Sequence, residues 1–248
     1  MEKVKVGKAY VSNVTQREAV DYVDKVIANH EKGYVVTPNL DHIVKLEEDP
    51  EFVYCYENAA LVLADGNPVV WASRFLGTPL KELVTGSDLF QVLCQHAAER
   101  GHTLFFLGGL EGVAQKAADE LKKQYPQIKV VGVYSPPFGF EKNQDENLRI
   151  IEMINAVKPN ILFVGVGAPK QEKWMYKNIG QLDVNVALGI GASFDFVAGT
   201  VKRAPKLFRQ MGMEWFWRVS NEPRRLFKRY FIDSARFVPI IYNQKNNK

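Results

Sequence analysis

The chain has few of the residues that build metal and disulfide chemistry. Only two of its 248 residues are cysteine, Cys55 and Cys94, and only four are histidine, His30, His42, His96 and His102. Neither set has ligand spacing, which argues against a Cys- or His-built metal site and against a disulfide framework; two isolated thiols fit a reducing cytosol. No run approaches the ~18–20 apolar residues that span a bilayer, and the opening "MEKVKVGKAYVSN" lacks the apolar stretch of a signal peptide. The expectation is a protein that crosses no membrane unaided. Internal repeats and low-complexity tracts are missing as well.

Several catalytic signatures are also absent. "GVGAPK" is neither G-x-G-x-x-G nor a P-loop, because Pro169 stands in place of a glycine and no Ser or Thr follows Lys170. A dehydrogenase would carry its glycine fingerprint after the first strand, and "VVTPNLDH" has none, which argues against hydride transfer. There is no D-x-D pair of the kind used in metal-dependent sugar transfer. "ADGNP" supplies one carboxylate, while Asp183 and Asp195 stand alone. A two-carboxylate hydrolase would need a distant acid beside Asp65.

What is present is an ordinary core-forming composition, 46% hydrophobic, enough for one substantial core or a core with an appendage. From Gly33 onward, short β-rich runs alternate with helical patterns. "GYVVT", "ALVLAD", "TLFFLGG", "KVVGVYS", "NILFVGVG" and "VNVALGIG" read as strands. Between them, "SDLFQVLCQHAAER" starts at a Ser cap, "EGVAQKAADELKKQY" stops before Pro126 and "NQDENLRIIEMINAV" stops before Pro159. Earlier, Thr15 with Glu18 three residues on is a capping-box pattern. This alternation predicts an α/β fold over residues 1–199, a Rossmann-like, mostly parallel sheet with helices on both faces.

Beyond Gly199 no strand is evident, and residues 200–248 read as a helical, basic appendage. They hold twelve Lys or Arg against three acids, a net of +9, which leaves −5 for the rest of a chain of overall charge +4. Pro223 suits the first turn of a helix behind a cap at Asn221. At ~100° per residue, Arg225, Arg229 and Arg236 fall within about 40° of one another, and Leu226, Tyr230 and Phe237 share another sector. Two readings fit: aromatics packed on the core beside solvated arginines, or a helix for an anionic ligand or membrane surface. A nucleic-acid module using the basic tail is a third, from another class; the acidic body offers no platform for it, and no nucleic-acid partner is expected.

Four strand ends carry the polar or glycine-rich residues, at the carboxyl edge where open α/β sheets bind ligands. They offer Thr37 and Asn39, then Asp65, then Gly108 and Gly109, then Gly165, Gly167, Lys170 and Gln171. Glycines ahead of helix starts let backbone N–H groups approach a diphosphate. Asp65, at the mouth of its strand, suits a general base taking a proton from an acceptor alcohol, with ribose ligand, metal ligand and helix cap as the other roles such a position allows.

"TPNLDH", "ADGNP", "LVTGSDLF", "FFLGG", "YSPPFGFE", "GVGAPKQEKW", "GASFDFVAGTVKRAP" and "GMEWFWRVSNEPRRLFKRY", in this order over nearly the whole chain, resemble the WecG/TagA/CpsF glycosyltransferase family. The resemblance implies transfer of a sugar from a UDP-sugar donor to a polyprenyl-diphosphate-linked sugar during surface-polymer synthesis. In the teichoic-acid branch the sugar is N-acetylmannosamine and the acceptor N-acetylglucosaminyl-diphospho-undecaprenol, with inversion and no required metal or other cofactor. It implies Asp65 as the candidate base and Thr37, Asn39 and Gln171 in the active crevice, where the strand-end pattern also puts Gly108, Gly109, Gly167 and Lys170 as substrate-binding candidates. Arg218 and Arg225 are then expected on the substrate diphosphate, with Arg203 and Arg229 as further substrate-binding candidates, the appendage docking on the anionic cytoplasmic face of the membrane as a peripheral protein with a soluble pool. A homo-oligomer is compatible with this reading. Where the teichoic-acid branch carries an Arg shortly before "GSDL", this chain has Leu83, with Lys81 nearby; N-acetylmannosaminuronate or a hexose is the alternative donor sugar.

Overall fold

A computed structural model describes residues 1–205, 208, 216–217 and 223–247, and of residues 223–230 the backbone alone. It opens on an element that a strand reading begun at Gly33 passes over. β1 (Lys3–Val6) and β2 (Ala9–Ser12) form an antiparallel hairpin, Lys3 opposite Ser12 and Val6 opposite Ala9. Its alternation is present in "KVKVGKAYVS": Val4, Val6, Ala9 and Val11 are buried, and Gly7 makes the turn at φ +59°. α1 (Gln16–Ala28) follows, its capping box formed as expected between Thr15 and Glu18.

The remaining elements alternate. β3 (Gly33–Val36) leads to α2 (Leu40–Glu48) and α3 (Pro50–Glu57), and β4 (Leu61–Val62) leads to α4 (Asn67–Phe75) and α5 (Gly86–Arg100). β5 (Thr103–Gly108), α6 (Val113–Gln124), β6 (Lys129–Tyr134), a 3-10 turn (Phe140–Lys142) and α7 (Gln144–Val157) come next. β7 (Ile161–Gly165), α8 (Lys170–Asn178), β8 (Val186–Gly189), α9 (Ser193–Ala198) and α10 (Pro223–Asn246) complete the described chain. All six predicted strands form, and they join in one parallel sheet of order β4-β3-β8-β7-β5-β6.

Each strand alternates between two cores. Phe105, Leu107, Leu162 and Val164 face a layer holding the hairpin, α2, α3, α4, α7, α8 and part of α10. Leu104, Phe106, Phe163 and Leu188 face α1, α5, α6 and α9. In that second layer Phe90 meets Phe106, Phe163 and Phe194 edge-on, ring centroids 4.8–5.7 Å apart. Burial at roughly 1.5–3 kcal/mol per large side chain, plus edge-to-face geometry, ties α5 and α9 to the sheet centre.

The second half of α10 belongs to the first core. Phe237 and Ile241 are buried there, and Gln244 accepts the Gly7 N–H at 2.7 Å while donating to the Lys5 carbonyl at 2.9 Å. Arg236 pairs with Glu48 at the end of α2. The helix begins at Pro223, as its sequence predicts. Of the two readings of its aromatic stripe, core packing holds at Phe237; Leu226 and Tyr230 have side chains outside the described residues. Phe231, Val238 and Tyr242 stay exposed on another face.

Candidate active site

At the carboxyl edge, β3 and β4 deliver two loops side by side. The Asp65 N–H donates to the Pro38 carbonyl at 2.9 Å, continuing the ladder beyond Val62, so the carboxylate of Asp65 stands next to the Thr37–Asn39 turn. It does not cap α4. Gly66 takes the cap position at φ +112°, a conformation that favours glycine, and no side chain caps that helix. The half-buried Asp65 thus keeps its carboxylate at the mouth of the crevice. Its charge is felt by Tyr56 of α3, a wholly buried phenol whose pKa burial raises well above the ordinary value.

Thr37 is 4% exposed and sits against the first turn of α5; a Cβ on Gly86 would stand 3.1 Å from Thr37 Oγ1 and 3.6 Å from the Gly189 carbonyl. That contact brings the N-terminus of a 15-residue helix to the gap between β3 and β8. The helix starts earlier than its sequence suggested. Thr85, not Ser87, is the cap: its Oγ1 accepts the Asp88 N–H at 3.1 Å and donates to Asp88 Oδ2 at 2.7 Å. Ser87 instead meets Ser193 at 3.0 Å between hydroxyls. The unpaired N–H groups of such a helix start carry partial positive charge toward the crevice.

Gln171 lies on the other side of that gap. It is 3% exposed, and its amide rests on Gly189, where a Cβ would be 2.8 Å from Nε2. Its Oε1 accepts the Gly191 N–H at 3.1 Å and its Nε2 donates to Glu172 at 2.8 Å. Asp65, Thr37, Gly86, Gly189 and Gln171 therefore form one continuous floor across β4, β3, β8 and the start of α8. Asn39 lies beside them with part of its capacity used, since its Oδ1 caps α2 by accepting the His42 N–H at 3.2 Å.

The glycines divide by cause. Gly108, at φ +120°, is required by the approach of β5 to β7, because a Cβ would meet the Gly165 carbonyl oxygen at 2.5 Å. The Gly109 N–H is already bonded to that carbonyl at 2.9 Å. Gly167, at φ +82°, has open space around it and is the one of the three whose backbone faces no neighbour within 4 Å of a Cβ. Lys170 lies farther out, its ammonium 4.8 Å from the ring centroid of the exposed Phe138 and on the wall of a 480 Å³ cleft shared with Lys142, Lys173 and Lys177.

Arg203 comes to the crevice rim, where its guanidinium pairs with Asp88 Oδ1 at 2.8 Å and lies 5.9 Å from the Phe196 ring. Arg218 lies outside the described residues, as do the side chains of Arg225 and Arg229. Leu83 packs against the first core, and Lys81 turns away to Glu18 at 2.9 Å, so it does not replace the expected Arg.

Four residues escaped the sequence reading. Asp88 had a usable signal, the T-x-x-D spacing of a cap. His42 and Tyr56 hydrogen-bond at 2.7 Å beneath Asp65, a pairing made only by α2 folding onto α3. Glu172, wholly buried, sits in "KQEK", which looks like a solvated helix face.

A family model for the WecG/TagA/CpsF glycosyl transferases matches residues 4–248. The chain belongs to this family. A relative from Bacillus spizizenii is 32% identical over 207 residues, 83% of this chain and 78% of its own length. Another, from Staphylococcus aureus, is 29% identical over 226 residues, 90% of this chain and 87% of its own. Both bear the name N-acetylglucosaminyldiphosphoundecaprenol N-acetyl-beta-D-mannosaminyltransferase. As a member of the family, the chain is a glycosyltransferase.

Proposed function

We propose that this chain moves N-acetylmannosamine, with inversion, from UDP-N-acetylmannosamine to N-acetylglucosaminyl-diphospho-undecaprenol. The observation that carries the reading is Asp65, released from capping by Gly66 and set beside Thr37 at the β3–β8 gap. Asp65 takes the proton of the acceptor hydroxyl as its oxygen attacks the anomeric carbon. The bond from that carbon to the β-phosphate oxygen breaks on the opposite face, and UDP departs. Thr37 orients the reacting sugar beside the base.

The leaving diphosphate gathers negative charge, which fixed donors stabilise best. The start of α5, the Gly167 turn and Arg203 supply such groups, and Arg218, Arg225 and Arg229 are proposed to add theirs. No metal is needed in this scheme. Among the described residues, no helix is long and apolar enough to cross a membrane. The +9 appendage is proposed to hold the enzyme at an anionic bilayer surface, where its lipid acceptor resides.

Purified protein given a panel of UDP-sugars and a short-chain lipid-diphosphate-N-acetylglucosamine, with and without EDTA, tests this. N-acetylmannosamine transfer unaffected by EDTA is expected; complete loss in EDTA contradicts the metal-free chemistry. Leu83 favours one second reading, a different donor sugar on the same machinery, because an apolar contact stands where the teichoic-acid branch places a cation. A product mass corresponding to N-acetylmannosaminuronate or a hexose supports that alternative.

A further inference from the structure

Behind the crevice floor, α8 turns Glu172 inward, with no exposed surface. Its Oε1 accepts from Gln171 Nε2, and Gln171 Oε1 accepts from the Gly191 backbone. The amide cannot flip without setting its Nε2 against the Gly191 N–H, and it lies packed against Gly189. The other carboxyl oxygen of Glu172, Oε2, is buried with no hydrogen-bond partner. Groups of two helices face this carboxyl: Asp41 and Lys45 of α2, and Cys55 and Tyr56 of α3. A second negative charge here, next to Asp41 and without a partner for Oε2, is costly.

We propose that Glu172 is a positioning residue of the nucleotide-sugar site: neutral, it fixes the Gln171 amide across Gly189 and Gly191, and ionised, it sets an anion behind the floor that weakens binding of an anionic nucleotide sugar. The inference rests on the reading that the carboxyl edge takes a UDP-sugar. Burial pushes the Glu172 carboxyl up to about 7, against an ordinary value of 4.5, and the neighbouring Lys45 only partly offsets this. The proton is therefore held in mildly acidic solution and lost in mildly alkaline solution.

The test is calorimetric binding of UDP-N-acetylglucosamine, whose diphosphate is already fully ionised and keeps the same charge between about pH 6 and about pH 8.5, on either side of the carboxyl's midpoint. The parent is expected to bind at least about fivefold more weakly at the higher pH, the size of effect a buried charge several ångströms away produces. Glu172→Gln keeps an acceptor for Gln171 and cannot ionise, so its affinity should change less than about twofold over the same interval. Glu172→Leu, checked for fold by circular dichroism, removes the acceptor and should bind weakly at both pH values. If Glu172→Gln retains the parent's full pH dependence, the inference is overturned, and the same holds if folded Glu172→Leu binds as tightly as the parent at about pH 6. A parent that binds equally at both pH values overturns the inference alone, whereas a parent that binds no UDP-sugar overturns the nucleotide-site reading together with it.

Discussion

Asp65 shows how much a single residue discloses before its neighbours are known. Its place after an apolar run located it at a strand mouth and favoured a base, with ribose ligand, metal ligand and helix cap as other roles; Gly66 in the cap position removes the last of these. Asp65→Asn keeps the shape and removes the basicity, so kcat should fall by about 10²–10⁴ with the melting temperature nearly unchanged. A kcat within about threefold of the parent would return Asp65 to a structural role. Asn39 was legible as polar and well placed, but not as the cap of α2, although Asn three residues before His42 carries that signal. Glu172 was not legible at all: the charge pattern around it describes solvent, whereas the packing of α8 on α3 and the sheet buries it. Its folded-state pKa, near 7, lies above the unfolded 4.5, so the parent loses stability as pH rises through that interval and Glu172→Gln does not. Urea unfolding should thus show the variant gaining on the parent between about pH 5 and pH 7.5, by on the order of 3 kcal/mol, with no further gain above. A gain that is flat across this range would mean Glu172 ionises normally.

Among the elements, α5 joins the chemistry to the fold. Thr85 ties its first turn, Asp88 carries the tie to Arg203, and Gly86 lets Thr37 approach. Thr85→Ala should cost about 1 kcal/mol in denaturant unfolding, the usual worth of such a cap, and should raise the KM for the UDP-sugar because Asp88 and Arg203 lose their register. Unchanged KM alongside that loss would separate α5 from donor binding. The helix start was misplaced in the sequence because Ser87 and Thr85 are both good caps, and only the Thr85–Asp88 exchange decides between them. α10 is divided. Phe237→Ala should destabilise the protein by roughly 3–5 kcal/mol, as a core truncation does, without specifically affecting vesicle binding. Replacing Leu226 and Tyr230 by Glu should abolish sedimentation with anionic vesicles and spare turnover on a soluble short-chain acceptor. Parallel loss of both activities would make the whole helix a core element.

For the whole molecule, the alternation of strand and helix sufficed for the three-layer fold, since each strand's period of two must face two cores. The order of strands was not legible. It depends on which helices pack against which neighbours, and so did the meeting of Thr37, Gln171 and Asp65, which lie far apart in the chain. The hairpin at the N-terminus was missed although its alternation is present, because lysines interrupt its valines where the sheet strands are continuous apolar runs, yet it anchors α10 through Gln244. The account joins these parts into one claim: an inverting transfer in which Asp65 activates the acceptor. It is tested most directly by the anomeric configuration of the disaccharide made from α-linked UDP-N-acetylmannosamine and a lipid-diphosphate-N-acetylglucosamine, read by NMR. The account predicts a β-linked N-acetylmannosamine formed in a single displacement; an α-linked product would contradict it.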